Sequence, residues 1–84
     1  MTFAELLRKR LDKLLMPRTE CALRLGITRQ AVHRHLKGED IPSVRTLNGY
    51  ARVLGVDNRK IFDAVAESRR EKEKKKQKSS PQRR

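Results

Sequence analysis

Tryptophan is absent from this chain, and Phe3, Tyr50 and Phe62 are its only aromatic residues, so aliphatic side chains must supply most of any core. Cys21 is the single cysteine, which excludes an internal disulfide and makes a reducing, cytoplasmic setting the expectation. No apolar run approaches the ~20 residues that a membrane helix needs. The opening M-T-F-A-E-L-L lacks a basic region followed by an apolar one, so no secretory leader and no membrane partner are expected. There is no Gly-rich phosphate loop and no Ser/His/Asp set, and Cys21 has no partner base in view. These gaps argue against an enzyme, and no catalytic residue is assigned. No stretch alternates with the period of a strand.

Acidic residues are also scarce: 10 Asp/Glu stand against 22 Lys/Arg, for a net charge of +12 at pH 7. Such an excess favours a polyanionic partner, because each phosphate neutralised releases condensed counterions. The charge is unevenly spread. Residues 1–66 hold 13 Lys/Arg against 7 Asp/Glu, and the much shorter 67–84 holds 9 against 3. The expected organisation is a domain over 1–66 and a basic tail over 67–84. With 84 residues there is room for one small domain with a modest core.

What the chain has in quantity is helix punctuation. Thr2-Phe3-Ala4-Glu5 reads as a capping box. Phe3, Leu7, Leu11 and Leu14 then recur at helical spacing, with Leu6 and Leu15 widening the stripe. Met16-Pro17 is expected to end this helix, with Pro17 acceptable in the first turn of the next. The second helix runs to about Leu25 and stops at Gly26, with Ile27 tucked under the turn. Thr28 is an N-cap for a third helix, Arg29 to about Lys37, closed by Gly38. Ser43 caps a fourth to about Leu54, with Val44, Leu47, Tyr50, Ala51 and Leu54 expected inside. Gly49 within it costs about 1 kcal/mol relative to alanine, which a close helix approach would offset. Gly55-Val56-Asp57 introduces a fifth helix carrying Ile61, Phe62 and Val65 inward. Beyond Ala66 every face is polar. The four-residue spacing of Glu67, Glu71 and Lys75 could extend the helix by a few turns, and Ser79 to Arg84 is expected to be disordered.

The third helix sorts into two faces when each residue is set 100° from the last. Arg29, Gln30, His33, Arg34 and Lys37 share an arc of about 140°, while Ala31, Val32, His35 and Leu36 take the other side. The polar face has the chemistry of base reading. Arginine can donate two parallel bonds to guanine, and glutamine can pair in the same bidentate way with adenine. Arg29 and Gln30 sit at the helix N-terminus, the end that enters a major groove in a helix-turn-helix. Arg34 lies a turn further on, and Thr28 can both cap the helix and touch a phosphate.

Leu25-Gly26-Ile27-Thr28-Arg29-Gln30-Ala31-Val32, then Gly38, Pro42-Ser43, Thr46-Leu47, Ala51, Leu54-Gly55-Val56 and Ile61-Phe62 resemble the Cro/phage-repressor (Xre-type) helix-turn-helix family. The likeness covers about residues 3–65. It implies an all-α, compact five-helix bundle of lambda-repressor-like type that binds double-stranded operator DNA, commonly as a dimer on inverted half-sites. The family's base-contacting positions fall on Arg29, Gln30 and Arg34, with His33 at a position used variably. Thr28 and Arg18 fall where backbone phosphates are usually touched, and Lys37 on the same outward face joins them as a phosphate contact. Three departures stand out. Pro17-Arg18 replaces the common Thr-Gln start of helix two, and Cys21 replaces a usual leucine. His35-Leu36 stands where an aliphatic residue and a glutamate are common, so that glutamate's ion pair with helix one is not expected.

Two histidines flank Arg34, but residues two apart on a helix point about 200° apart and no further ligand completes a metal site. No metal and no cofactor are expected. The leading reading is a small Cro-type transcription regulator of bacterial or phage origin, acting as a repressor, with no room for a separate C-terminal dimerisation domain. It would be nucleoid-associated when DNA-bound and dimeric through the fifth helix and its extension. The alternatives are an antitoxin-type protein with a protein partner on the tail, and a non-specific nucleic-acid binder acting by charge. The tail itself is read as contacting phosphates beside the operator.

Overall fold

Thr2 starts the fold. Its hydroxyl accepts from the Glu5 N–H at 3.3 Å, and the Glu5 carboxylate accepts from the Thr2 N–H at 2.9 Å. The Thr2 N–H, aided by the Thr2 hydroxyl donating to the same carboxylate oxygen at 3.1 Å, holds the Glu5 carboxyl below its ordinary range. The computed structural model describes the backbone of residues 1–79 and the side chains of residues 1–71. Five helices follow in order: α1 Phe3–Leu14, α2 Arg18–Leu25, α3 Arg29–Lys37, α4 Val44–Leu54 and α5 Asn58–Ser79. The described residues form the all-α bundle that the helical punctuation predicts, with no strand among them.

Each cap does the work its residue type predicts. Thr28 Oγ1 accepts from Ala31 N–H at 3.0 Å, and Ser43 Oγ accepts from Thr46 N–H at 3.4 Å. Asp57 Oδ1 accepts from Arg59 N–H at 2.8 Å at the start of α5. Pro17 sits at the N-cap of α2, one residue earlier than a first-turn position, and offers no side-chain cap. Gly26 has φ 72°, the left-handed conformation that glycine adopts without a Cβ penalty. The chain then reverses so that Ile27 N–H donates to Ala22 O at 3.0 Å.

The end of α1 departs from expectation. Leu15, not Met16-Pro17, turns the chain: it has φ 52°, the one described non-glycine with positive φ, and Met16 N–H donates back to Leu11 O at 3.0 Å. This is the two-bond helix stop that glycine usually makes. It swings Leu15 outward to 88% exposure and leaves Leu14 exposed as well, so neither belongs to the core stripe. Met16 packs against the core instead.

One core joins all five helices. Phe3, Leu7 and Leu11 of α1 meet Cys21 and Ala22 of α2, Val32 and Leu36 of α3, Leu47, Tyr50, Ala51 and Leu54 of α4, and Ile61, Ala64 and Val65 of α5. Full burial of each large aliphatic chain stabilises the fold by about 1.5–3 kcal/mol. Tyr50 is at its centre, with its ring edge-on to Phe3 at 5.2 Å between centroids. Besides Leu14 and Leu15, two further expected core residues lie outside. Val44 is 60% exposed and Phe62 is 39% exposed. At 100° per residue, Val44 falls about 70° and Phe62 about 110° from the centre of its helix's buried stripe. Ala64 occupies the inward position in place of Phe62.

Gly49 is accounted for by a close approach: a Cβ built there would lie 2.9 Å from Leu25 Cδ2, where α4 crosses α2. At the other end of the molecule, α5 runs without a break past Ala66. Ser68 Oγ accepts from the Phe3 N–H at 2.9 Å, and Glu67 pairs with the Met1 ammonium at 2.6 Å. The first polar residues after the apolar stripe therefore fasten α1 to α5. Ser79 is helical. The expectation of disorder over residues 80–84 lies outside the described residues, as do the side chains beyond Glu71.

Candidate nucleic-acid interface

The helix-turn-helix is α2, the Gly26 turn and α3. Its inner face is closed by Ala22, Val32, His35 and Leu36, all buried, with Ala31 half-buried. That packing orients α3 so that Arg29, Gln30, His33, Arg34 and Lys37 are all exposed, together with Arg18 and Thr28. The two-face sorting of α3 is thus reproduced residue by residue. A shallow groove where the starts of α2 and α3 meet is lined by Pro17, Arg18, Thr19, Arg29, Gln30 and His33.

The side chains of Arg29 and Gln30 make no hydrogen bond or ion pair with another described residue, so their donors face solvent. Arg34 is paired: its Nη1 lies 3.7 Å from Asp40 Oδ2, a long and exposed ion pair that water and salt weaken. Arg18 is also engaged. Its Nη1 is 2.8 Å from His33 Nδ1, linking the first turn of α2 to the middle of α3. Thr28 Oγ1 receives the Ala31 N–H, which leaves the hydroxyl proton available outward. The exposed N-terminus of α3 adds its own N–H groups and partial positive charge.

Sequence patterns did not reveal the Arg18–His33 and Arg34–Asp40 contacts. Helical periodicity assigns a residue to a face, but the meeting of two side chains on different elements depends on the crossing of those elements. The polarity of Arg18 and Asp40 was visible; their partners were not.

The supporting shell is apolar except for one pair. His35 Nδ1 shares a 2.8 Å hydrogen bond with the Tyr50 hydroxyl, with the two rings edge-on at 5.6 Å. Burial holds the His35 imidazole below its ordinary range; Asp40 opposes that shift and Arg34 adds to it. Burial, with a smaller contribution from Cys21, pushes the Tyr50 phenol well above its ordinary range. Burial likewise pushes the Cys21 thiol up, so it stays protonated and packs as a small apolar residue. Between α1 and α4, Arg10 donates to the Leu54 carbonyl through Nη2 at 2.8 Å, helping to satisfy the end of α4.

A family model described as helix-turn-helix matches residues 7–57, more than half of the chain. The chain belongs to the Cro/phage-repressor (Xre-type) helix-turn-helix family. As a member of it, the protein is a DNA-binding transcription regulator. Comparison with curated proteins and with solved structures gives no match. The helix-turn-helix match ends at Asp57, so α5 and its basic extension stand outside it. No helix among the described residues is long and apolar enough to cross a membrane.

Proposed function

We propose that the protein is a repressor, of phage or bacterial origin, that reads operator DNA by inserting α3 in the major groove. The observation that carries this reading is the clustering of exposed hydrogen-bonding side chains on one face of α3, above a face sealed by Val32, His35 and Leu36. Arg29 and Gln30, at the inserting end, contact guanine and adenine edges respectively. Arg34 reads the next base along, exchanging its weak pairing with Asp40 for a bidentate base contact. His33 faces the same groove. Thr28, Arg18 and Lys37 anchor the register on backbone phosphates, Thr28 through its free hydroxyl proton and the adjoining helix N-terminus.

Two copies of the protein bind inverted half-sites through an interface on α5. Phe62 supports this, because an exposed aromatic among polar neighbours on a surface helix is a fitting dimer contact. The basic run after Ser68 adds phosphate contacts without reading sequence. Repression follows from occupancy of promoter DNA.

In vitro selection of bound DNA from a random pool is the test. A two-fold symmetric site is the expected result. A single unpaired half-site would overturn the dimer, and a pool without an enriched site would leave charge alone as the basis of binding. Transcription from a promoter that contains the selected site should fall as protein is added; a rise would overturn repression.

A further inference from the structure

We propose that Arg18 is a positioning residue for His33, and that the pair turns the imidazole into a hydrogen-bond donor aimed at an acceptor atom of a base. The inference rests on the operator-reading proposal and deepens it by naming the chemistry of one reading position.

The contact has only one possible polarity. A guanidinium keeps its charge at any accessible pH and has donors but no acceptor. At 2.8 Å, therefore, Arg18 Nη1 donates and His33 Nδ1 accepts through its lone pair. A neutral imidazole carries one N–H, and with Nδ1 accepting that proton must sit on Nε2. The ring nitrogen held against α2 is thus the acceptor. The other nitrogen keeps the donor and makes no hydrogen bond to a described residue.

His33 lies one turn after Arg29 and Gln30 on the exposed face and lines the same groove. A donor at this place accepts only part of the major-groove code. Purine N7, guanine O6 and thymine O4 are partners for it. The amino groups of cytosine and adenine, which are donors themselves, are not. A second consequence concerns Arg18. One N–H is spent on His33 and the rest of the guanidinium stays exposed, so the same side chain can hold a phosphate. Arg18 then ties the orientation of a base-reading ring to the register of the DNA backbone, a link that neither residue could make alone.

Asparagine and glutamine separate the two ring nitrogens. His33→Asn keeps an acceptor near Nδ1 for Arg18 but has no group at the Nε2 position; His33→Gln places an amide N–H where Nε2–H was. Selection of bound DNA is run on the wild type, both variants and Arg18→Ala, every substitution falling at an exposed position. Expected is a roughly tenfold loss of preference at one base pair per half-site in His33→Asn, with the other positions unchanged; His33→Gln, which restores the donor but gives up the Arg18 contact, should recover part of that preference. Arg18→Ala should weaken binding to every sequence and, in addition, erode preference at that same base pair. Nitrogen-15 NMR of the free wild type should show His33 Nδ1 unprotonated and Nε2 protonated, with the Nδ1 resonance shifting in Arg18→Ala. Full retention of preference in His33→Asn, a uniform loss in Arg18→Ala, or a proton found on Nδ1 would each overturn the inference while the operator-reading proposal stands. If the wild type enriches no site, operator reading fails, and the role assigned to His33 falls with it.

Discussion

His35 and Tyr50 share a 2.8 Å hydrogen bond inside the core, so the reading helix and α4 are joined by a polar contact in otherwise apolar packing. The pair sets a pH response. Because burial lowers the His35 pKa in the folded state, the unfolded chain binds more protons below the ordinary histidine value of 6.5. Stability from this residue is therefore fully present above pH 6.5 and declines as pH falls below it toward the lowered folded value. Thermal melts between pH 8 and pH 5 should show a flat upper region and a falling lower one. Replacing both partners, as His35→Leu with Tyr50→Phe, removes the bond without orphaning either group. That double variant should lose much of the decline, and an undiminished decline would locate the response elsewhere.

Leu15 is a position where the natural residue is not the best one. It holds φ 52° at 88% exposure and brings no core packing to offset that strain. Leu15→Gly should raise stability by about 0.5–1.5 kcal/mol, the left-handed penalty relieved less the extra freedom of glycine in the unfolded chain. Denaturant midpoints would measure it; a loss of stability would mean that the leucine side chain has a contact worth more than its backbone strain.

Arg29→Ala should weaken operator binding by about 1–3 kcal/mol and relax preference at one base pair. The fold should be unchanged, because the side chain is exposed and makes no hydrogen bond or ion pair within the described residues. Affinities on the selected site and on single-base variants of it are the measurement. Equal weakening on all of them would assign Arg29 to phosphate rather than base.

Two truncations separate the roles of α5. Removing residues 72–84 spares Glu67 and Ser68, which hold α1. It should lower affinity on every sequence and flatten the salt dependence, by nearly one unit of log-log slope for each phosphate left without its cation. An unchanged slope would sink the phosphate role of the tail. Removing residues 67–84 should also cost stability, about 1 kcal/mol for the hydrogen bond to Phe3 N–H alone. Thermal melts would distinguish the two.

The fold was largely legible because its punctuation is local. Thr2, Thr28 and Ser43 act on N–H groups three residues away, and Gly26, Gly38 and Gly55 act on the turn they close, so boundaries follow from short windows. The polar face of α3 was legible for the same reason. What escaped depends on three dimensions. Nothing local marks Leu15 for a left-handed turn, and Phe62 reads as core until the buried stripe of α5 is seen to centre on Ile61, Ala64 and Val65. Arg18 finds His33 only because α2 and α3 cross where they do.

The hydrogen bond from Phe3 N–H to Ser68 Oγ joins residues 65 positions apart and closes the chain around the bundle, and the matched segment 7–57 contains neither end of it. Cut to those limits, the chain would also forfeit Phe3, Ile61, Ala64 and Val65 from its interior. The matched segment is thus smaller than the core that packs the bundle. A designer who wished to graft this DNA-reading surface onto another protein would need to transplant both flanks with it.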